Sequence, residues 1–321
     1  MNRGGVLLAV LFLSAAAAIG QTADDRYVPN PDMAIHALKA LPDGKLLVGG
    51  AFTTIAGGSR SGIARLHADG RLDTTFNPGA GADGAVLDIA RQPDGKVLIA
   101  GVFSTVNGTA RRGIARLLGN GSLDPAFDPG AGADTIVSVA VQPDGKVLVA
   151  GAFVTLDGQV RNHIARLLPD GSLDPAFRPL ADREVSAVAL QPDGRIVVGG
   201  WFSTIGGQPR RGLARLYPDG TADPSFTNSV ENSVHDVAVQ PDGKILIGGF
   251  FDHVNGHPRH NLARFEADGT LEAGFEPNAN QKVECLVLQP DGKILVGGAF
   301  TQLNGVTRER FGRLNPDGTL D

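Results

Sequence analysis

The sequence is poor in cysteine, in aromatic residues and in clustered positive charge. Its 321 residues include one Cys, one Trp, two Tyr and two Met, and aromatic residues make up 6% of the chain. A single Cys excludes an intramolecular disulfide, so packing must stabilise the fold, and we expect Cys285 to be a buried, unreactive thiol. No block of Lys and Arg stands out and the formal net charge is −5, which argues against a nucleic-acid partner.

Only the first twenty residues contain a long hydrophobic run. MNRGG, with one Arg, precedes the apolar stretch VLLAVLFLSAAAAI, and small residues precede Gln21. This layout is typical of a secretory signal peptide and is short for a membrane span. We therefore predict a signal peptide at residues 1–20. Residues 24–321 are predicted to form one domain, a monomer without a membrane span, that is secreted, periplasmic or held at the cell surface.

Glycine and proline are abundant, with 44 and 20 residues, and they recur in a fixed phrase. PDG followed by Lys or Arg occurs six times, with steps of 51, 50, 49, 49 and 49 residues between successive copies. The Asp of this phrase is Asp43, Asp94, Asp144, Asp193, Asp242 and Asp291. A period near 50 residues is typical of propellers and related repeat arrays.

The second copy shows how one repeat is organised. Ala85–Gln92 is predicted to be a strand, PDG a tight turn, and Lys96–Phe103 a strand covered on both faces. After a longer loop, Ile114–Leu118 and Ser122–Phe127 flank a second tight turn. No stretch shows sustained helical periodicity. The sequence therefore predicts an all-β fold, a six-bladed β-propeller of four-stranded antiparallel blades.

The two ends of the mature chain share one repeat phrase. Internal copies read Leu-Asp-x-x-Phe-x-Pro, the chain stops at Leu320-Asp321, and Asp25–Pro29 supplies x-x-aromatic-x-Pro. We expect strands from both termini to complete the last blade, because closure removes the exposed sheet edge of an open array.

Two sets of residues recur in the copies and are predicted to be scaffold. The first set is the Phe that ends the second strand: Phe52, Phe103, Phe153, Phe202, Phe251 and Phe300. The second set pairs an Arg with an acid eight residues later: Arg65, Arg116, Arg166, Arg215, Arg264 and Arg313 with Asp73, Asp124, Asp174, Asp223 and Glu272. We expect one structural ion pair per blade rather than calcium sites, since the calcium-loop spacing is absent.

The combined phrase LQPDGKILVGGAFTQLNG…RLNPDGTLD resembles the bacterial delta-60 repeat, which is found in exported and cell-surface proteins. The resemblance covers the mature chain in six copies. It implies a β-propeller outside the cytoplasm, with no general activity and no catalytic motif. The first copy departs from the pattern with ALPDGK, and the sixth with RERFGRL.

The connections between strands two and three and between successive copies are longer and more varied than the tight turns, so they form the candidate binding face. A ring of Arg side chains there can hold an anionic glycan by bidentate contacts, but carboxylates fall on the same side, and loop-stabilising salt bridges are the favoured interpretation for these arginines. The candidate ligand-binding residues are Arg60, Arg111, Arg161, Arg210, Trp201, Arg259 and Arg308.

Two further groups offer metal chemistry. His253, His257 and His260 lie within eight residues and are candidate zinc, copper or nickel ligands, or simply a His-rich surface loop. At the expected channel mouth, His36, Asp88, His235, Asp236 and Glu284 vary between copies while their neighbours stay apolar. These five can hold a divalent metal and its activated water, or can line a wet channel.

Two functions remain open. The first is a non-enzymatic binding or scaffold module, without a cofactor, that presents its long-loop face to an extracellular or cell-surface glycan or protein. The second is a metal-dependent hydrolase that uses the channel-mouth residues.

Closure of the last blade is testable by truncation. Deleting Asp24–Pro29 is expected to lower the melting temperature by several degrees, because the sixth blade would lose a strand. Thermal unfolding followed by circular dichroism measures the effect, and an unchanged melting curve would contradict closure by the ends.

Overall fold

A computed structural model describes residues 29–321, and all of its regular elements are β-strands. The predicted signal peptide and residues 25–28, which we expect to join the last blade, lie outside the described residues. Within residues 29–321, no helix has the length and hydrophobicity that a membrane span requires.

Each repeat contributes five strands in the same order. The first strands are β1 (Ile35–Ala40), β6 (Ala85–Arg91), β11 (Ile136–Val141), β16 (Val185–Leu190), β21 (Ser233–Val239) and β26 (Val283–Leu288). The second strands are β2 (Leu46–Gly50), β7 (Val97–Val102), β12 (Val147–Gly151), β17 (Ile196–Gly200), β22 (Ile245–Phe250) and β27 (Ile294–Gly298).

A short hairpin and a last strand complete each repeat. The hairpins are β3 (Thr54–Ile55) with β4 (Gly58–Ser59), β8 (Thr105–Val106) with β9 (Thr109–Ala110), β13 (Thr155–Leu156) with β14 (Gln159–Val160), β18 (Thr204–Ile205) with β19 (Gln208–Pro209), β23 (His253–Val254) with β24 (His257–Pro258), and β28 (Gln302–Leu303) with β29 (Val306–Thr307). The last strands are β5 (Ile63–Leu66), β10 (Ile114–Leu117), β15 (Ile164–Leu167), β20 (Leu213–Leu216), β25 (Leu262–Phe265) and β30 (Phe311–Leu314).

The described chain divides into two compact units within the third repeat. The first unit comprises the described residues up to Val147 together with Thr155–Val160 and Arg166–Leu173. The second comprises Leu148–Val154, Arg161–Ala165 and Asp174–Asp321. The first unit contains the antiparallel sheets β1-β2-β5 and β6-β7-β10. The second contains β16-β17-β20, β21-β22-β25 and β26-β27-β30.

The predicted fourth strand is reduced to a single bridge. In the second repeat only Leu123 pairs, with Leu117, whereas Ser122–Phe127 was predicted to be extended. Asp124 ends the pairing, because its Oδ1 accepts the N–H of Ala126 at 3.0 Å and folds the chain into a turn. Each sheet in the two units therefore has three strands, followed by one bridged residue.

The predicted long loop between the second and third strands is a regular hairpin in every repeat. In the second repeat Thr105 pairs with Ala110 and Val106 with Thr109. The tip residues Asn107 and Gly108 have φ values of 49° and 73°, which suit the left-handed turn that Asn-Gly favours. Sequence patterns missed these hairpins because each strand has only two residues. The candidate binding face is therefore built on a backbone that repeats, and the side chains on it supply the variation.

Small residues allow neighbouring sheets to pack closely in each unit. A Cβ atom at Gly49 would lie 2.8 Å from Cγ1 of Val86 in the next repeat, so only glycine fits at that point. The predicted scaffold phenylalanines are buried, as shown by Phe52 at 1% and Phe202 at 1% exposure. This part of the prediction is confirmed.

The predicted Arg–acid pairs are present in both units. Nε of Arg65, Arg116, Arg215 and Arg264 lies 2.7, 2.8, 2.8 and 2.6 Å from a carboxylate oxygen of Asp73, Asp124, Asp223 and Glu272, respectively. Arg313 and Asp321 form the same contact. The Lys of the PDG phrase joins the pair in several copies, as Lys96 does with Asp124 at 3.1 Å.

The same Arg connects consecutive repeats and covers a phenylalanine. Nη1 of Arg215 donates to the carbonyl of Ala267 in the next repeat at 2.8 Å, and its guanidinium lies 4.7 Å from the centre of the Phe226 ring. Burial alone would raise the pKa of Asp223, but hydrogen bonds from Ser225 and Arg215 outweigh burial and lower that pKa to about 2.

The pair is expected to be a main source of stability. Replacing Arg215 with Met should lower the free energy of unfolding by about 3 kcal/mol, because Asp223 is fully buried and would lose its closest cationic partner, with Arg195 left at 3.6 Å. Urea denaturation measures the change.

Arg71→Met is the matched control. Arg71 pairs with Asp69 at 2.6 Å, but their side chains are 82% and 48% exposed, so the expected loss is below about 1 kcal/mol. Equal losses in the two variants would contradict the scaffold role of the repeated pair.

Candidate functional site

The five predicted channel-mouth residues lie on first strands. His36 is on β1 and Asp88 on β6 in the first unit, and His235, Asp236 and Glu284 are on β21 and β26 in the second. The two aspartates hold backbone rather than a metal. Asp236 accepts the N–H groups of Val237 and Leu286 at 2.8 and 2.7 Å, one through each oxygen.

Asp88 makes the same two contacts in the first unit. Its carboxylate accepts the N–H groups of Ile89 and Val139, both at 2.7 Å. Burial raises the pKa of Asp88, and the two N–H donors oppose that effect. In both units the aspartate therefore joins its own first strand to the first strand of the next repeat.

His235 lies between a serine and a glutamate. Its Nε2 is 3.0 Å from Oγ of Ser233 on the same strand, and its Nδ1 is 3.1 Å from Oε2 of Glu284, although the N–H is not aligned for a hydrogen bond. Nζ of Lys282 lies 2.5 Å from the other oxygen of Glu284. The contacts with His235 and Lys282 lower the pKa of Glu284 to about 2, so this carboxylate is ionised at neutral pH.

The order Ser233, His235, Glu284 is that of a nucleophilic triad, but the burial of Ser233 argues against that use. The residue has 0% exposure, so a substrate carbonyl has no approach to its hydroxyl. Ser233 instead fixes the orientation of the imidazole.

The described residues do not form a complete ligand set for the metal-dependent hydrolase alternative. Among the residues that the structure describes, no group of three or more His, Cys, Asp or Glu side chains is arranged to hold a metal ion. The histidines of the fifth repeat have other neighbours: Nδ1 of His253 is 3.4 Å from Glu231, and Nδ1 of His260 is 3.4 Å from Asp252. His257 lies on β24, where it pairs with Val254.

Cys285 is partly buried, whereas a buried thiol was expected. Burial, followed by the charges of Asp236 and Glu284, raises the pKa of its thiol to about 12. The thiolate, which is the nucleophilic form, is therefore scarce at neutral pH.

Most of the predicted ligand-binding arginines are buried. Arg111, Arg161, Arg210 and Arg259 are 8%, 1%, 9% and 6% exposed, Arg60 is partly buried, and Arg308 is exposed. Nη1 of Arg60, Arg111, Arg210, Arg259 and Arg308 donates to the carbonyl of the preceding residue. Nη2 of Arg210 also reaches the carbonyl of Asp223 at 3.1 Å. These arginines hold the hairpins, whereas the predicted Trp201 is 52% exposed.

Trp201 belongs to a group of three residues that stand side by side where the sheet meets its hairpin. Its N–H donates to the carbonyl of Glu184 at 2.9 Å on one side. On the other side, Gly212 accepts from Gly200 at 3.0 Å and donates to Phe202 at 2.9 Å, so these two bonds flank Trp201 and Arg211 is the residue just before Gly212. We call such a set, with one residue from each of the three strand ends, an end triplet.

The same hydrogen bonds define an end triplet in other repeats. In the second unit the triplets are Glu184, Trp201 and Arg211; Ser233, Phe250 and His260; and Lys282, Ala299 and Glu309. In the first unit they are Ala34, Ala51 and Ser61; and Ala85, Val102 and Arg112. Only the fourth and fifth repeats have an aromatic middle residue, and Phe250 is 50% exposed.

Arg112 and Arg211 occupy equivalent positions but differ in their partners. Arg112 forms an ion pair with Asp134 in the next repeat. Glu231 is the counterpart of Asp134, since Ala133 and Val230 donate to the carbonyls of Arg112 and Arg211, respectively, but Glu231 contacts His253 instead. Within the part of the chain that the structure describes, no carboxylate pairs with Arg211.

The sequence did not reveal which arginine of an RR pair is exposed, and it gave little reason to select Phe250. In both RR pairs the first Arg is buried, as Arg111 and Arg210 are, and the second is exposed. Phe250 is followed by the scaffold residue Phe251, and only the variation of this position between copies, from Ala to Trp, signals a role other than packing.

The aspartates of the channel mouth are expected to be structural. Asp236→Asn should lower the free energy of unfolding by about 1–3 kcal/mol, because an amide has one acceptor oxygen and leaves one buried N–H without a partner. Asp242→Asn, in an exposed PDG turn, should change it by less than about 0.5 kcal/mol. Unchanged stability, together with loss of a stoichiometric metal in Asp236→Asn, would favour the hydrolase hypothesis.

Comparisons with known proteins agree with this repeated all-β architecture. No curated protein matches the sequence. Among solved structures, the WD40 beta-propeller domain of Doa1 is 17% identical, with a TM-score of 0.58 over 82% of this chain and 75% of that chain. Virginiamycin B lyase from Staphylococcus aureus is 13% identical, with a TM-score of 0.53 over 91% of this chain and 84% of that chain. Such low identities show a common fold and leave activity open.

A family model supplies the classification. The family described as a beta-propeller domain of unknown function (DUF5122) matches residues 41–76, 92–127, 142–177, 191–226, 240–275 and 289–321. The matched segments coincide with the six repeats and cover more than half of the sequence. The chain therefore belongs to the DUF5122 beta-propeller family.

Proposed function

We propose that the protein is an exported, non-enzymatic binding module that holds a glycan on the end triplets of the fourth and fifth repeats. One observation carries the proposal. Trp201 and Phe250 occupy the same position in consecutive repeats and are each about half exposed, whereas Ala51 and Ala299 occupy it in the first and sixth repeats.

The exposure of these two rings has no structural use. The scaffold phenylalanines beside them, Phe202 and Phe251, are 1% and 2% exposed and fill the sheet interfaces. Trp201 and Phe250 leave large apolar faces in water, which is unfavourable by about 25 cal/mol per Å² until a ligand covers them. Aromatic residues placed on a rigid scaffold lose little conformational entropy when they bind.

A glycan fits this surface better than a protein partner. The cores of protein interfaces are contiguous and apolar, whereas here the polar residues Glu184, Arg211 and His260 flank the two rings. A sugar ring offers an apolar face for stacking and hydroxyl groups at its rim for such polar neighbours. The alternation of ring and polar side chain along each triplet provides both kinds of contact.

The repeated β-sheets provide a rigid support for this surface. We take each repeat as one blade of a propeller, with the bridged residue after the last strand acting as a short fourth strand. The leader-like first twenty residues support action outside the cytoplasm.

The two rings are expected to carry the affinity. Trp201→Ala and Phe250→Ala should each weaken binding to the best oligosaccharide of a glycan panel by about tenfold or more, because each removes a stacking surface. Isothermal titration calorimetry measures the dissociation constants.

Val102→Ala is the matched control, since Val102 is the 47% exposed middle residue of the second-repeat triplet. Its affinity should stay within about twofold of the original protein. If both aromatic variants bind like Val102→Ala, or if the panel gives no binding while a protein partner is retained by Trp201 and Phe250, the glycan proposal is wrong.

A further inference from the structure

We infer that the glycan held by the fourth and fifth repeats is acidic, and that Arg211 receives a carboxylate of the sugar next to the one stacked on Trp201. This inference rests on the proposed function and adds the chemical class of the ligand.

The first support is the lost partner of Arg211. Its counterpart Arg112 is neutralised by Asp134, and the backbone frame of the two positions is the same. In the second unit the equivalent carboxylate, Glu231, forms no ion pair with Arg211 and lies 3.4 Å from Nδ1 of His253, without a hydrogen bond between them.

The second support is the charge around Trp201. Asp182 precedes Arg183 and Glu184, but its carboxylate accepts the N–H groups of Ser203 and Thr204 at 2.8 and 2.9 Å. Burial would raise the pKa of Asp182, and these N–H donors outweigh it and lower the pKa. This carboxylate is therefore already occupied by the scaffold.

Among the described residues, Arg211 and Glu184 form no ion pair, whereas the charge of Arg183 acts on Asp182 and helps to lower the pKa of that carboxyl. The two cations balance the two carboxylates in formal charge. An anionic ligand would therefore be attracted by the unpaired guanidinium of Arg211 and not by a net positive charge of this surface.

The third support is geometry. Arg211 precedes Gly212, whose two backbone hydrogen bonds flank Trp201, and no cation–π contact joins the arginine and the tryptophan in the described part of the chain. The indole face and the planar guanidinium are both available to a ligand. A guanidinium binds a carboxylate through two parallel hydrogen bonds, which fixes the orientation of an acidic sugar as well as its charge.

The test compares acidic oligosaccharides with their uncharged forms on the full mature chain. The probes are tetrasaccharides of galacturonate, mannuronate and glucuronate, the methyl ester of each, and sulfated tetrasaccharides with their neutral parents. Titration calorimetry gives dissociation constants for the original protein and for the Arg211→Gln, Arg112→Gln and Trp201→Ala variants.

We expect at least one uronate to bind about tenfold or more tightly than its methyl ester, with a difference that shrinks at high salt. Arg211→Gln should abolish that difference and leave binding of the ester unchanged, while Arg112→Gln, whose ion pair lies outside the site, should behave like the original protein. Trp201→Ala should weaken the acid and the ester alike.

Other outcomes separate the two proposals. Equal binding of acid and ester, both weakened by Trp201→Ala, would overturn the acidic class and leave the glycan site in place. Binding of sulfated probes alone would overturn the carboxylate assignment. No binding of any probe, or binding insensitive to Trp201→Ala, would overturn both proposals.

Discussion

The buried pair between the repeated Arg and its carboxylate is the interaction on which the rest of the structure depends. The side chain of Arg215 makes three contacts: it pairs with Asp223, donates to the carbonyl of Ala267 in the next repeat and covers the Phe226 ring. Each sheet has only three short strands, and such sheets are weak in isolation. The Arg therefore both completes its own repeat and attaches it to its neighbour.

Because the same backbone contacts recur, the scaffold leaves a small set of positions whose side chains can vary between repeats. The end triplets are such a set: their backbones are fixed by hydrogen bonds, and their side chains range from Ala34 and Ala51 to Trp201 and Arg211. Function can therefore change at these positions without loss of stability. The channel-mouth aspartates do not share this freedom, since Asp88 and Asp236 bind backbone N–H groups of two strands.

Periodicity predicted the strands, the tight turns, the buried phenylalanines and the Arg–acid pairs, since all of these are demanded in every copy. The hairpins were missed because strands of two residues, such as Thr105–Val106, leave no periodic signal. The fourth strand was overestimated because Asp124 turns the chain after one bridge. Arg210 is buried because backbone carbonyl groups lie within reach of its guanidinium, whereas the neighbouring Arg211 is exposed. The sequence RR does not show which of the two arginines is buried.

The candidate site arises where the repeat symmetry is broken. Arg112 and Arg211 have the same backbone frame, but the next carboxylate pairs with the arginine only in the case of Arg112, since Glu231 lies beside His253. A repeat protein can thus create a recognition site by removing one partner from a structural ion pair. Leaving the guanidinium unpaired costs the protein little free energy of unfolding, because an ion pair at the surface contributes at most about 1 kcal/mol. Its gain is specificity, since an unpaired guanidinium beside an aromatic ring distinguishes a charged sugar from a neutral one of the same shape.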